Sequence, residues 1–147
     1  MEQPIAVKRL HPNARLPEYG SADAAGADLR VCLDAPVTVA PGETVLLPTG
    51  LALELPAGYV GLVFARSGLA TRSGLAPANK VGVIDADYRG EVRIALHNHG
   101  AEARTVADGD RVAQLVIVPY LTGRFFEADA LSDTARGAGG FGSTGTR

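Results

Sequence analysis

The sequence has a single cysteine, Cys32, so no disulfide can form within the chain, which is typical of a reducing compartment. No apolar run approaches the ~20 residues of a membrane-spanning helix, and the N-terminal segment lacks the charged-then-apolar layout of a signal peptide. A basic surplus is absent too, because 14 basic and 16 acidic residues give a net charge of −2. These absences predict a cytoplasmic protein that binds neither membranes nor nucleic acid.

Long uninterrupted helical stretches are also lacking. Glycine and proline together supply 27 of the 147 residues, about 18% compared with a usual ~12%. A hydrophobic content of 46% nevertheless argues for a folded protein. The length fits one domain with a buried core, and the density of turn-forming residues favours an all-β fold.

Short apolar runs between the turn signals predict the strands. Residues 51–55 and 91–98 alternate apolar and polar side chains, as expected for strands with one buried face. Residues 111–118 are apolar on both faces, which predicts a central strand. In residues 37–47, the Pro41-Gly42 pair between two β-branched runs predicts a hairpin. Such a series of short strands is typical of a sandwich or barrel.

Two stretches depart from this pattern. Residues 66–77 contain RSGLAT followed by RSGLAP, whose apolar spacing is compatible with one short helix. The tail from Thr134 to Arg147 has five glycines and no acidic residue, and we expect it to be mobile when alone. We therefore predict a domain over residues 1–133 and a C-terminal tail over 134–147.

The tail also carries groups suited to binding phosphate. Its G-x-G-x-x-G spacing lacks the following helix of a dinucleotide site. Glycines still let backbone N–H groups approach phosphate closely, and hydroxyls and Arg136 add donors. Phosphate binding and a flexible linker both remain open at this point.

Carboxylates in residues 82–92 form a second candidate site. Asp85 follows an apolar run and is placed to activate a water molecule. Asp87, two residues later, is a candidate partner in a metal or acid pair. The alternative for both is an Asp-rich turn, since Asp favours turns for local reasons.

Further polar groups have a functional and a structural interpretation each. Arg66 and Ser67 suit phosphate binding, or they begin a helix with Ser67 as N-cap. Asp28 marks either a turn or a water-linked metal site. His97 and His99 are either metal ligands or a solvated hairpin end, for which the sequence favours the hairpin end. Cys32 is better explained as a small apolar residue in a strand than as a reactive thiol.

Taken together and in order, five segments resemble the motifs of the trimeric dUTP diphosphatase (dUTPase) family. They are AGADL (25–29), ARSGLA (65–70), NKVGVIDADYRG (79–90), GDRVAQLVI (109–117) and RGAGGFGSTG (136–145). Ala27, Ala65 and Ala138 replace residues that are common in the family, but none removes a group that the chemistry needs. Of the two RSGLA copies, the first has the usual distance to Asn79, so we assign Arg66 and Ser67 to the second motif.

The resemblance implies a jelly-roll-like β-barrel or sandwich with one short helix, a flexible glycine-rich tail, and a homotrimer whose active sites are shared between subunits. It also implies hydrolysis of dUTP to dUMP and pyrophosphate with Mg²⁺, which limits uracil in DNA and supplies dUMP for thymidylate synthesis. Related alternatives are dCTP deaminase, which resembles this fold but lacks the tail, and a non-catalytic nucleotide-binding trimer.

The resemblance also assigns site residues. Asp85 is expected to be the catalytic base, and Asp28 is expected to touch the metal only through water. Substrate is expected to contact a set drawn from the second, third, fourth and fifth motifs: Arg66, Ser67, Gly68, Asn79, Gly82, Val83, Ile84, Tyr88, Gln114, Arg136, Phe141, Gly142, Ser143 and Thr144.

Overall fold

The regular elements of the chain are almost entirely strands. A computed structural model describes residues 3–140, which form eleven strands and one short helix. In chain order these are β1 Ala6–Arg9, β2 Glu18–Tyr19, β3 Ala27–Arg30, β4 Val37–Val39, β5 Thr44–Glu54, β6 Tyr59–Ala65, α1 Ser67–Ser73, β7 Leu75–Pro77, β8 Gly82–Ile84, β9 Glu91–Asn98, β10 Arg104–Val106 and β11 Arg111–Pro119.

The strands form two main antiparallel sheets and a two-stranded ribbon. One sheet has the order β2-β3-β11-β6-β8, the other has the order β1-β5-β9-β7, and β10 pairs with β4. β11 lies between β3 and β6, which confirms the prediction of a central strand over residues 111–118. The predicted all-β class with one short helix is likewise confirmed.

One hydrophobic core lies between the sheets. β9 spans the predicted residues 91–98, and its alternation puts Val92, Ile94 and Leu96 inside with exposed fractions of 4% or less. Leu29 of β3 and Leu115 of β11 are buried in the same cluster. Full burial of one such side chain contributes about 1.5–3 kcal/mol, so this cluster fixes which face of each sheet points outward.

The predicted hairpin over residues 37–47 is wrong. Gly42 does form a turn, with φ of 76° and a 3.0 Å hydrogen bond from the Glu43 amide to the Ala40 carbonyl. The flanking strands nevertheless join different sheets, since β4 pairs with β10 while β5 pairs with β1 and β9. Alternation buries the same side chains with either partner, so the local sequence does not specify the pairing.

The helix is shorter than the repeated RSGLA hexads allow. α1 ends at Ser73 because Gly74 adopts a left-handed conformation, with φ of 68°, and its N–H bonds to the Leu69 carbonyl. Leu75 therefore enters β7 instead of continuing the helix. Within residues 3–140, no helix is long and apolar enough to cross a membrane.

Candidate active site

A cavity of about 430 Å³ opens beside the edge strand β8. Part of its lining comes from the outer face of the other sheet, including Leu46 of β5 and Arg93 and Ala95 of β9. Val63 of β6 and Pro77 of β7 contribute too, and the third motif supplies all six residues assigned there: Asn79, Gly82, Val83, Ile84, Asp85 and Tyr88. We call this space the motif-3 cavity.

The turn before β8 positions Asn79. The Lys80 amide donates to the Pro77 carbonyl at 3.1 Å, and the Val81 amide donates to the Asn79 carbonyl at 2.7 Å. Lys80 has a φ of 66°, an unusual value for a residue with a side chain. A Cβ atom at residue 82 would lie in ordinary contact with the Asn79 side-chain nitrogen, at 3.5 Å, and tightly against the Val63 Cβ of β6, at 3.2 Å.

A second turn places Asp85 and Tyr88 at the mouth of the cavity. The Tyr88 amide donates to the Asp85 carbonyl at 3.1 Å, and the Tyr88 hydroxyl donates to the Glu91 carbonyl at 3.0 Å. A Cβ atom at Gly90 would overlap the Tyr88 ring, which explains the glycine of the YRG sequence. The Asp85 side chain is exposed and makes no hydrogen bond or ion pair within residues 3–140. It is therefore free to contact a water molecule.

A separate cavity of about 380 Å³ lies at the end of β6. It collects the residues assigned to phosphate and metal from three other motifs, namely Asp28, Arg66, Ser67, Gly68 and Gln114. We call it the arginine cavity. Gln114 lies opposite Asp28 in the β11–β3 register and donates to the Ala65 carbonyl at 2.9 Å.

An ion-pair network surrounds Asp28. The Arg66 Nε donates to Asp28 Oδ1 at 2.8 Å, and the Arg111 Nη1 donates to Asp28 Oδ2 at 3.1 Å. The carboxylate is only 16% exposed, so both of its oxygens are held by guanidinium groups in a partly dry environment. Arg72 also lines the arginine cavity, so its lining carries two arginines and one carboxylate and is positively charged.

The two cavities have no lining residue in common. Ile84, next to Asp85, pairs with Gly61, which precedes Arg66 by five residues on β6. At about 3.3 Å per residue, this separation is about 17 Å. Arg66 also turns toward Asp28 on β3, on the opposite side of β6 from β8. Asp85 and Arg66 of one chain thus face different spaces.

Comparison with known proteins identifies the family to which the chain belongs. The family model named dUTPase matches residues 12–145. The chain belongs to the dUTPase family. Two curated relatives are named deoxyuridine 5'-triphosphate nucleotidohydrolase. The one from Desulfitobacterium hafniense is 55% identical and covers 96% of this chain and 94% of the relative. The one from Anaeromyxobacter sp. is 54% identical and covers 97% and 99%, respectively.

Solved dUTPase structures share the fold. The dUTPase of Staphylococcus bacteriophage 80alpha with dUPNHPP superposes with a TM-score of 0.86 at 31% identity, covering 99% of this chain and 100% of that one. A mutant dUTPase of phage phi11, described with a structural Mg(II) ion, has a TM-score of 0.77 at 28% identity and covers 87% and 98%. These matches confirm the jelly-roll-like fold and do not favour the dCTP deaminase alternative.

The donor set of this dUTPase-family chain fits a metal that is not held by the protein directly. Residues 3–140 contain no cluster of three or more His, Cys, Asp or Glu side chains arranged to hold a metal. Asp28 is the one carboxylate lining the arginine cavity, and arginines occupy both of its oxygens. These residues are compatible with the expectation that Asp28 touches the metal only through water.

The structure does not bring together the other candidate metal ligands. Asp87 lines a different cavity from Asp85, which leaves no acid pair. The His97 Nδ1 lies 2.9 Å from the Thr44 hydroxyl, and the His99 Nε2 lies 3.2 Å from the Ala70 carbonyl. Both histidines therefore have structural partners, but β9 and β10 join different sheets, so the expected hairpin end is wrong.

Sequence reasoning missed two side chains of the arginine cavity. Arg72 and Ser73, which belong to the second RSGLA copy, line it beside the first copy. The tandem repeat could have indicated these two residues, because a single short helix contains residues of both copies. The N-cap of that helix is Arg66 without a capping side chain, so the proposed Ser67 N-cap is wrong. Ser67 is the first helical residue, and its side chain is exposed.

Of the tail residues assigned to substrate, only Arg136 lies within the described residues. The Arg136 Nε donates to the Gly139 carbonyl at 2.7 Å, and Arg136 lines neither the motif-3 cavity nor the arginine cavity. Phe141, Gly142, Ser143 and Thr144 lie outside the described residues. Their assignment stays a prediction.

Cys32 has the environment of a structural thiol. Its sulfur is buried and lies 3.3 Å from the His11 Nδ1. Burial raises the pKa of the Cys32 thiol, and the negative charges of Asp108, Asp34 and Glu91 raise it further. A raised pKa keeps the thiol protonated and unreactive, so it is not a candidate nucleophile.

Proposed function

We propose that this chain hydrolyses dUTP to dUMP and pyrophosphate, with Asp85 as the base that activates the attacking water. The observation that carries the proposal is the motif-3 cavity, where the exposed Asp85 carboxylate has no partner among residues 3–140 and lines the same space as Asn79 and Tyr88. In-line attack of that water on the α-phosphorus yields dUMP and releases pyrophosphate. A carboxylate within hydrogen-bond reach of the water is what such a step requires.

The edge position of β8 supports recognition of uracil. β8 pairs with β6 on one side, and its other side has no strand partner within residues 3–140. Backbone N–H and C=O groups of Gly82, Val83 and Ile84, with the Asn79 amide, can then meet the uracil edge. Cytosine reverses the donor and acceptor at its 4-position and would leave buried polar groups unpaired, a large penalty.

Close packing around the substrate supports the rejection of thymine nucleotides and of ribonucleotides. A strand backbone that contacts the base leaves no room for the 5-methyl group of thymine. The Tyr88 ring is held by its hydroxyl bond to the Glu91 carbonyl and lies against Gly90. With the deoxyribose over this ring, a 2'-hydroxyl group would have no space, so UTP is rejected.

The triphosphate is assigned to the arginine cavity and the tail. Arg66, Ser67, Gly68 and Gln114 bind the α- and β-phosphates, where positive charge stabilises the developing negative charge. Arg136, Ser143 and Thr144 bind the γ end, Gly142 lets the backbone approach, and Phe141 covers the base. Asp28 would hold a substrate-bound Mg²⁺ ion through water, and that ion would supply positive charge to the triphosphate.

Placement of the two cavities supports a homotrimer with shared sites. One substrate must meet both Asp85 and Arg66, and within a single chain these face separate cavities on opposite sides of β6. A second copy of the chain supplies the missing half. Four large apolar side chains after β11 are 84–97% exposed, which fits a segment that packs on another subunit: Leu121, Phe125, Phe126 and Leu131.

The same segment leads to the tail, which we place over a neighbouring subunit's site. Closure by the tail excludes bulk water while the phosphate donors engage. The enzyme is assigned to the cytoplasm, where it limits uracil in DNA and supplies dUMP.

A panel of nucleotides tests this function. Purified protein is incubated with Mg²⁺ and each of dUTP, dCTP, dTTP and UTP, and the products are separated. Formation of dUMP and pyrophosphate from dUTP alone supports the proposal. Ammonia released from dCTP would indicate a deaminase, and tight binding of dUTP without turnover would indicate a non-catalytic nucleotide-binding trimer.

A further inference from the structure

A β-bulge changes the direction of side chains at the start of β11. Arg111 pairs with Arg30 while Ala113 pairs with Leu29, so Val112 is an extra residue in the β11–β3 ladder. Val112 and Ala113 are consecutive and yet both buried, with exposed fractions of 1% and 0%. Residues three apart on a regular strand face opposite sides. The bulge instead puts Arg111 on the same outer face as Gln114.

This direction gives Asp28 its second partner. The Arg111 Nη1 reaches Asp28 Oδ2 at 3.1 Å, while the Arg66 Nε holds Asp28 Oδ1 at 2.8 Å. Arg66 therefore meets the carboxylate through one nitrogen only. Its Nη2 has no hydrogen-bond partner within residues 3–140.

Arg111 itself stands outside the arginine cavity. It lines an adjoining cavity with Thr105, Asp110 and Arg66, and its side chain is 46% exposed. The Arg66 Nη1 also donates to the Arg111 carbonyl at 3.4 Å, a backbone contact that does not depend on the Arg111 side chain. An effect of the Arg111 side chain on a phosphate in the arginine cavity is therefore transmitted through Asp28.

We propose that Arg111 is a positioning residue that keeps the Asp28–Arg66 contact monodentate, with only the Arg66 Nε bonded to the carboxylate. An arginine and a carboxylate form a bidentate pair, with two parallel hydrogen bonds, when no other group occupies the second carboxylate oxygen. By occupying Asp28 Oδ2, Arg111 prevents that pairing and leaves the Arg66 Nη2 for phosphate. This inference rests on the proposed function, because it assigns Arg66 to substrate phosphate.

Removal of the Arg111 side chain is expected to lower kcat by changing the orientation of the Arg66 guanidinium. In Arg111→Ala, the Arg66 guanidinium rotates to take both Asp28 oxygens, and its Nη2 leaves the phosphate position. Misplacement of a catalytic donor by about 1 Å costs up to about 100-fold in rate. We expect kcat for dUTP to fall between about 10- and 100-fold, with a smaller change in KM, since the donor acts mainly on charge that develops in the transition state.

The test compares matched arginine variants. Arg104 forms an ion pair of the same 3.1 Å length with Glu102 and lines neither cavity, so Arg104→Ala is the control. Arg104→Ala is expected to keep kcat within about twofold of wild type, as surface ion pairs contribute little. Arg111→Lys is expected to recover much of the lost kcat, because an ammonium group also occupies Oδ2.

A double-mutant cycle identifies the route of the effect. If Arg111 acts through Asp28, Asp28→Asn with Arg111→Ala loses no more activity than Asp28→Asn alone. Additive losses, or a kcat for Arg111→Ala that equals that of Arg104→Ala, would overturn the inference. If Arg111→Ala does not fold, Arg111→Lys and Arg111→Met replace it, because methionine has no donor for Oδ2, and equal kcat for these two would overturn it as well. Wild-type protein that forms no dUMP would instead contradict the proposed function.

Discussion

Gly74 packs directly against the backbone of Gly100. A Cβ atom at residue 74 would lie 2.7 Å from the Gly100 nitrogen, and the φ of Gly74 is 68°. Gly68, the equivalent glycine of the first RSGLA copy, has open space at the same point. The second-copy glycine thus has a structural role that the first-copy glycine lacks, although both stand in the same five-letter sequence.

The two glycines are therefore expected to respond differently to alanine. Gly74→Ala should destabilise the fold by at least about 1 kcal/mol, because left-handed backbone and a backbone overlap both oppose it. Gly68→Ala should keep the thermal midpoint but lower kcat/KM for dUTP, since the added methyl group enters the arginine cavity. Thermal unfolding and steady-state assays of both variants check this, and equal midpoints would contradict the assignment.

Replacement of the proposed base separates binding from turnover. Asp85→Asn keeps the shape of the cavity but cannot take a proton, so kcat should fall by about 100-fold or more while dUTP still binds. Asp87→Asn is the matched control, because Asp87 lines another cavity and should retain kcat within a few fold. Rates near wild type for Asp85→Asn would remove it from the role of base.

Tyr88 is the residue assigned to sugar discrimination. Tyr88→Ala opens space beneath the sugar, and the ratio of UTP to dUTP hydrolysis, compared as kcat/KM, should rise about tenfold or more. Tyr120 has nearly the same exposure, 47% compared with 46%, and lies outside the motif-3 cavity. Tyr120→Ala should leave the ratio unchanged. A ratio that is equally unaffected in both variants would mean that another group recognises the sugar.

The tail is expected to contribute to catalysis and not to assembly. A chain that stops at Thr134 should sediment as wild type does but lose about 100-fold or more in kcat/KM, since donors that act at closure are removed. A chain that stops at Thr144 keeps every assigned contact and serves as the control. An active truncated protein, or one that sediments as a monomer, would contradict this role.

The sequence predicted the strands more reliably than their partners. Alternation located β9 at its true bounds, and apolar side chains on both faces identified β11 as central, because burial acts through the local pattern. The partner of β4 could not be predicted, since pairing with β10 depends on residues about 67 positions away in the chain, as in the Thr38–Thr105 contact. Local signals do not contain such information.

The lining of the two cavities was predictable only in part, and their separation was not predictable. Motif order identified the lining residues that belong to the motifs, but it missed Arg72 and Ser73 of the arginine cavity and Leu46 and Arg93 of the motif-3 cavity. The separation of Asp85 from Arg66 follows from the β6–β8 register and from the Asp28 contact, which only the folded chain provides. The orientation of Arg111 could not be predicted, because it depends on a β-bulge. An alternating pattern of apolar and polar residues does not show where a bulge shifts the register.

Mixing two inactive variants tests the shared site most directly. Asp85→Asn and Arg66→Ala are each expected to be inactive, and they are denatured together in equal amounts and refolded. If each site takes Asp85 from one subunit and Arg66 from another, random assembly restores about a quarter of the wild-type sites, and dUMP formation should recover to about that level. Failure of the mixture to regain activity, in trimers shown to contain both variants, would contradict a site shared between subunits.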